Sequence, residues 1–393
     1  MTTHRSPFDM TRTTSRPPAY RPTSRTPAHR PTSAARPGFT LVEIMVVVVI
    51  IGILTALVVP ATMRAITRAR DTEAKMEVAA IADAVDQYHL KYGDFPPDGS
   101  DFQVLVRHMR KITNNRIGQP DLALLQTLTH PDGSNFSPVA MDRAEALVLF
   151  LGGFSSDLVH PLTGPGGPLE FKNYSGDDNP LNLANYQYNA TRDNAFFEFK
   201  PERLTIALQG NRYVSTDEVE MGYNDVNHGG QDLLPAYRST RTNSPIVYFD
   251  SRTYGEVAPG FYNAYRTPGE FGGLRPYKTS VGAQPPPYAN PQAAFAAVKF
   301  HNPQTYQVIS PGGDGVYGAV LENASAQPIH FVTETGSAII PNTGASSIQE
   351  LGQTGLGIIN GFQDQQFNAA VTVNGHLDNV TNFSSSTLES DLP

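Results

Sequence analysis

No cysteine occurs anywhere in the 393 residues. Disulfides, thiolate metal sites and cysteine nucleophiles are therefore excluded together. Familiar hydrolase signatures are missing too. There is no H-E-x-x-H and no G-x-S-x-G, and His228 and His301 stand alone with no ligand cluster around them. Charge of either sign is absent from Ile44 to Val59. Positive charge is sparse after residue 38. Residues 1–38 hold seven Arg and one Asp, a balance of +6, so the formal −8 of the whole chain leaves −14 for residues 39–393. An acidic body argues against nucleic acid as a partner, because phosphate recognition needs clustered Lys and Arg. Nothing in these patterns supports catalysis, and the chain reads as a non-enzyme.

What is present falls into three parts. Residues 1–38 are rich in Arg, Pro, Ser and Thr. They cannot bury enough apolar surface to offset the entropy of folding, so a disordered basic leader is expected. Basic, acid-poor sequence before an apolar run has the character of an export-signal n-region. Residues 39–92 read as one long helix. Its first half, Phe39–Val59, has 21 apolar-rich residues, about 30 Å as a helix, which matches a bilayer core. The valines and isoleucines there favour strands in water, but in lipid the backbone must satisfy itself and helix wins. Pro60 marks a kink or loosening of helical hydrogen bonds. In the second half Val78, Ile81, Val85 and Tyr88 recur at three and four residues, one stripe of an amphipathic helix. Gly93 ends it.

Residues 93–393 read as an α+β globular domain on a small antiparallel sheet. Short helices are expected at 101–112 and 141–153, and strands at 203–208, 244–250, 305–310, 328–334 and 369–373. Residues 154–300, rich in Gly, Pro, Asn and Tyr, read as a long insertion. Gly313–Gly318 fits G-x-G-x-x-G but lacks a surrounding βαβ unit, so it is read as a coincidence of glycines. Asp177 and Asp178 read as a solvated loop.

The stretch "GFTLVE" after a basic leader, followed by "IIGILTALVVP" and then by "QYHLKYGDFPPD", resembles the type IV pilin-like superfamily, and in particular the major pseudopilin of type II secretion. The strong part of this resemblance covers residues 36–98. It implies cleavage by a membrane prepilin peptidase between Gly38 and Phe39, and methylation of the new amine on Phe39. It also implies that Glu43 pairs with the amine of a neighbouring subunit during filament assembly. The physics agrees: a buried amine and a buried carboxylate that meet remove two unpaired charges at once. Two plainer readings of Glu43 compete, interaction with the helix dipole or with its own amine. Further partners implied are other copies of the chain, an inner-membrane assembly platform and the membrane itself. The expected location is a single-pass inner-membrane protein with an extracytoplasmic domain, assembled into a periplasmic or surface filament.

A second resemblance lies near the C-terminus. "YQVISPGGDGVYG" (306–318) and "DNVTNFS" (378–384) look like the calcium-binding loop of that pseudopilin and the segment that closes it. Asp314 and Asp378 match the ligand positions, and oxygen ligands on a glycine-rich loop suit calcium. Here about 60 residues separate the two halves. The competing reading makes Asp314-Gly315 an ordinary hairpin turn. For the whole protein, the alternative to a filament subunit is a pilin-anchored adhesin or binding module that uses 154–300 as its recognition surface.

Overall fold

A 52-residue helix, α1 (Leu41–Tyr92), opens the fold. In this computed structural model the described residues are 38–129, 141–216, 233–254, 274–279, 293, 296–313, 315, 317, 330–334, 337–339, 366–368, 371–372 and 378–391. The expected leader lies outside them. The chain divides into two units, Met1–Pro60 and Ala61–Pro393, and α1 runs through the boundary. Pro60 sits inside the helix. It offers no N–H to the carbonyl one turn back, yet helix continues on both sides.

The described part of the first unit is the apolar half of α1. Every residue from Gly38 to Pro60 is exposed. By length and composition α1 can cross a membrane.

In the second unit α1 behaves differently. Ala74, Val78, Ile81, Ala84, Val85 and Tyr88 are all buried. Spacings of three and four put them on one face, and that face forms a wall of the core. Gly93 ends the helix at φ +68°, in the left-handed region that glycine enters without a Cβ penalty. Three helices follow: α2 (Phe102–Ile112), α3 (Asp121–Thr129) and α4 (Arg143–Leu151). α2 starts on Asp101, whose carboxylate accepts from the Gln103 and Val104 amides. α4 starts on a reciprocal capping box between Asp142 and Glu145, and all nine of its residues are buried.

The strands are short. In chain order they are β1 (Leu169–Phe171), β2 (Tyr186–Tyr188), β3 (Ile206–Gln209), β4 (Arg212–Ser215), β5 (Val247–Asp250), β6 (Lys278–Thr279), β7 (Lys299–Phe300), β8 (Tyr306–Ser310), β9 (His330–Val332), β10 (Ser337–Ile339), β11 (Gln366–Asn368), β12 (Val371–Thr372) and β13 (Val380–Thr381). The central sheet has the order β13-β8-β5 and is antiparallel throughout, with Asp250 opposite Tyr306 and Val380 opposite Ser310. α4 packs against β5. Three hairpin pairs and one four-stranded sheet, β10-β9-β6-β7, complete the set. The β6–β9 pair is parallel. The fold is thus α+β, as expected, with several small sheets in place of one.

Candidate processing and assembly segment

Gly38 and Phe39 precede the first turn of α1 in irregular backbone, and Phe39 is 81% exposed. A Cβ added at Gly38 would meet nothing within 4 Å. The chain's own packing therefore places no demand for glycine there. Thr40 is the cap. Its Oγ1 accepts from the Glu43 N–H at 3.2 Å, and Glu43 Oε2 accepts from the Thr40 N–H at 3.2 Å. The Thr40 hydroxyl also donates to Glu43 Oε2 at 3.3 Å. This reciprocal pair is a capping box. It gives Glu43 a local role before any neighbour is present, and it places a carboxylate at the positive end of the helix dipole. The T-x-x-E spacing could have signalled it from sequence alone; Thr40 was not singled out there.

Near the C-terminus, pairing of β13 with β8 brings the two separated halves of the glycine-rich segment together. The Gly312 N–H donates to Asn379 Oδ1 at 3.2 Å. A Cβ at Gly312 would overlap the Asp378 carboxylate, so that position accepts only glycine while the carboxylate stays. Asp314 lies outside the described residues. Arg241 reaches the same loop: its guanidinium stands against Gly313 and pairs with Asp71 of α1. Among the described residues no group of three His, Asp or Glu is placed to hold a metal ion.

A third cluster was not visible in the sequence. Asp98, from the loop after α1, is buried. It accepts from Arg143 Nε at 3.0 Å, from the Thr253 hydroxyl at 2.6 Å and from the Ser100 hydroxyl at 2.6 Å. Burial alone would raise its pKa; the Arg143 charge and these donors outweigh it and hold it below the ordinary range. Asp250, at the end of β5, meets Arg252 at 2.6 Å. Burial and the nearby Asp98 charge nonetheless push it up to about 7. Arg252 also bridges to Asp94 at 3.1 Å. Burial of Asp94 is outweighed by His108, Arg252 and Lys111, which bring it down to about 2. His108 in turn shares a 2.7 Å hydrogen bond with Tyr88 of α1. The cluster ties the end of α1 to α2, α4 and β5.

Residues 34–59 match the family model of the prokaryotic N-terminal methylation motif. Over its first helix the chain is similar to type IV pilins and to the pseudopilins of type II secretion. It is 50% identical over 70 residues to the type II secretion system core protein G of Pseudomonas aeruginosa, covering 18% of this chain and 49% of that protein. Identity to the core protein G of Escherichia coli K12 is 42% over 69 residues, 18% of this chain and 48% of the relative. The type IV major pilin protein PilE of Neisseria gonorrhoeae is 40% identical over 63 residues, 16% of this chain and 38% of the pilin. The match thus spans about half the length of the core G relatives. No solved structure matches the chain.

Proposed function

We propose that this chain is a structural subunit of a pilin-like filament, cut after Gly38 by a prepilin peptidase, methylated on Phe39 and polymerised through α1. The observation that carries this reading is the segment from Gly38 to Arg70. It holds residues 38–59 of the methylation-motif match, it begins at an exposed junction, and every residue in it is exposed. An uncovered apolar helix of this length needs a bilayer or neighbouring helices as its solvent. The resemblance to core protein G favours a type II secretion pseudopilus over a pilus. Such a subunit sits in the inner membrane through one span with its body outside the cytoplasm, and works with an assembly platform. Its role is mechanical, not catalytic.

Glu43 acts in two settings. Before assembly it closes the capping box with Thr40. In the filament it pairs with the Phe39 amine of a neighbour, where both charges leave water together. The Asp314–Asp378 region takes calcium in this reading, supported by the β8–β13 pairing that sets Asp378 against the glycine loop. Asp378 and backbone carbonyls would hold the ion, which would cross-brace the C-terminal segment.

N-terminal sequencing and intact mass of membrane-extracted protein test the processing step. The expected result is a chain that starts at Phe39 with one added methyl group; a start beyond residue 60, or an uncut leader, overturns it. Glu43→Ala tests assembly. It should be cut and anchored as the native chain is, because removing a charge eases insertion. Filament yield in sheared surface fractions should collapse. Assembly at native yield would remove Glu43 from the mechanism.

A further inference from the structure

Past its apolar half, α1 opens with a run of positive charge alone. After Glu43 the next charged residues are Arg64, Arg68 and Arg70, and no acid appears until Asp71. All three arginines are exposed. Among the described residues none of them has an ion pair or hydrogen-bonded side-chain partner, whereas the acids that follow are engaged: Asp71 by Arg241, Glu73 by the Thr240 hydroxyl, Glu77 by Arg203. These three neighbouring carboxylates are therefore engaged elsewhere.

We propose that Arg64 and Arg68 form a binding site for the phosphate of an anionic phospholipid headgroup in the outward-facing leaflet. The inference rests on the reading of α1 as a membrane anchor. Arg64 lies five residues past Val59 and Arg68 nine, about 8 and 14 Å of helical rise. The headgroup layer adds roughly 5–8 Å to each side of the hydrocarbon core. Side chains on a helix lean toward its N-terminus, here toward the apolar segment, and long arginine stems snorkel along apolar surface. Both guanidinium groups thus reach back to phosphate depth. A spacing of four residues puts the two on one face, within reach of one phosphate. Arg side chains present a fork of donors that matches phosphate oxygens. Exposed Met63 and Ile66 on the same turns supply apolar surface for the acyl boundary. Thr67, the nearby hydroxyl, donates back to the Met63 carbonyl and leaves the arginines as the donors.

The test uses the full chain purified in detergent and offered equal amounts of phosphatidylglycerol and phosphatidylethanolamine with the same acyl chains. Native mass spectrometry reads the lipid adducts. The native protein should retain phosphatidylglycerol preferentially, and the preference should fall about five-fold per arginine in Arg64→Gln and Arg64→Gln/Arg68→Gln. Arg116→Gln, an exposed body arginine, should leave it unchanged. No preference in the native protein, or an unchanged preference in the double variant, overturns the proposal. Loss of subunit cross-links in the double variant with the lipid preference intact also overturns it, in favour of acids on a neighbouring copy. A carbonate wash of membranes separates the two levels. Native protein in the supernatant defeats the anchor reading itself; protein in the pellet without lipid preference defeats this inference alone.

Discussion

Two buried carboxylates a short distance apart, Asp98 and Asp250, divide their protonation unequally. Asp98 is held ionised by Arg143, and that charge helps keep the Asp250 proton on. The signs follow by linkage. Asp250 titrates at about 7 in the fold, against about 4 in an unfolded chain. The folded state keeps a proton that the unfolded state releases, so this group's contribution declines as pH rises from about 4 to 7. Asp94, at about 2 in the fold, acts oppositely: its stabilisation is present above pH 4 and is lost as pH falls toward 2. Burial lowers the His108 pKa, so its contribution is present above about 6.5 and is lost on acidification. Asp250→Asn has no proton to release. It should gain on the native protein between pH 4 and 7, by on the order of 1 kcal/mol, in unfolding experiments on the full chain. A difference that stays flat with pH would mean that Asp250 is ionised in the fold.

At the scale of elements, α4 shows how a helix end is closed by a residue far away in sequence. The last carbonyls of a helix lack internal partners. Arg192 supplies them. Its guanidinium donates to the carbonyls of Val148 at 3.0 Å, Gly153 at 3.0 Å and Leu149, and it is half-buried while doing so. Arg192→Ala should destabilise the body by about 3 kcal/mol or more, because several buried acceptors lose their donors together. Arg192→Lys should recover only part of that, for lack of the fork. Urea unfolding measures both. Legibility from sequence follows the same division. The stripe of α1 was readable because its period is local. The helix at 102–112 was readable because Asp101 announces its start. The α3 segment "DLALLQTLT" was not, since five of its residues are buried and polar ones interrupt no clear stripe. The strands came out within a few residues of β3, β5, β8, β9 and β12. The two- and three-residue strands β1, β2, β6 and β7 carry too few positions for alternation to register. The Asp98 cluster was invisible because its members come from residues 88 to 253, and only the folded chain brings them together.

For the whole molecule, the N-terminal segment was the most legible part, and the family comparison falls on it. At Glu43 the structure shows the capping box with Thr40, a local role that the T-x-x-E spacing carries. The C-terminal halves at 306–318 and 378–384 do meet through β8 and β13, while Asp314 stands outside the described residues. If calcium braces this region, thermal unfolding of the full chain in detergent should shift upward with calcium relative to chelator, since a ligand of the folded state raises its midpoint. Asp378→Asn should shrink that shift. Equal midpoints with calcium and chelator would leave the loop as a plain turn.

The ties that hold α1 against the body set an order in time. Lys75 Nζ donates to the Thr381 carbonyl at 2.7 Å across 306 residues of sequence, and Tyr306 reaches back to the Ala82 carbonyl at 2.9 Å. Val308, in the strand that β13 joins, packs in the same core as Val78 and Ile81. A ribosome that has just finished α1 must therefore add some 300 residues before the last of these partners exists. At 5–20 residues per second that wait is roughly 15–60 s. The apolar half of α1 is complete from the start of that interval. The stripe of Val78, Ile81, Val85 and Tyr88 spends it without its final cover. The apolar helix is thus made first and the body closed last, and the newborn stripe is the surface a holding chaperone would meet.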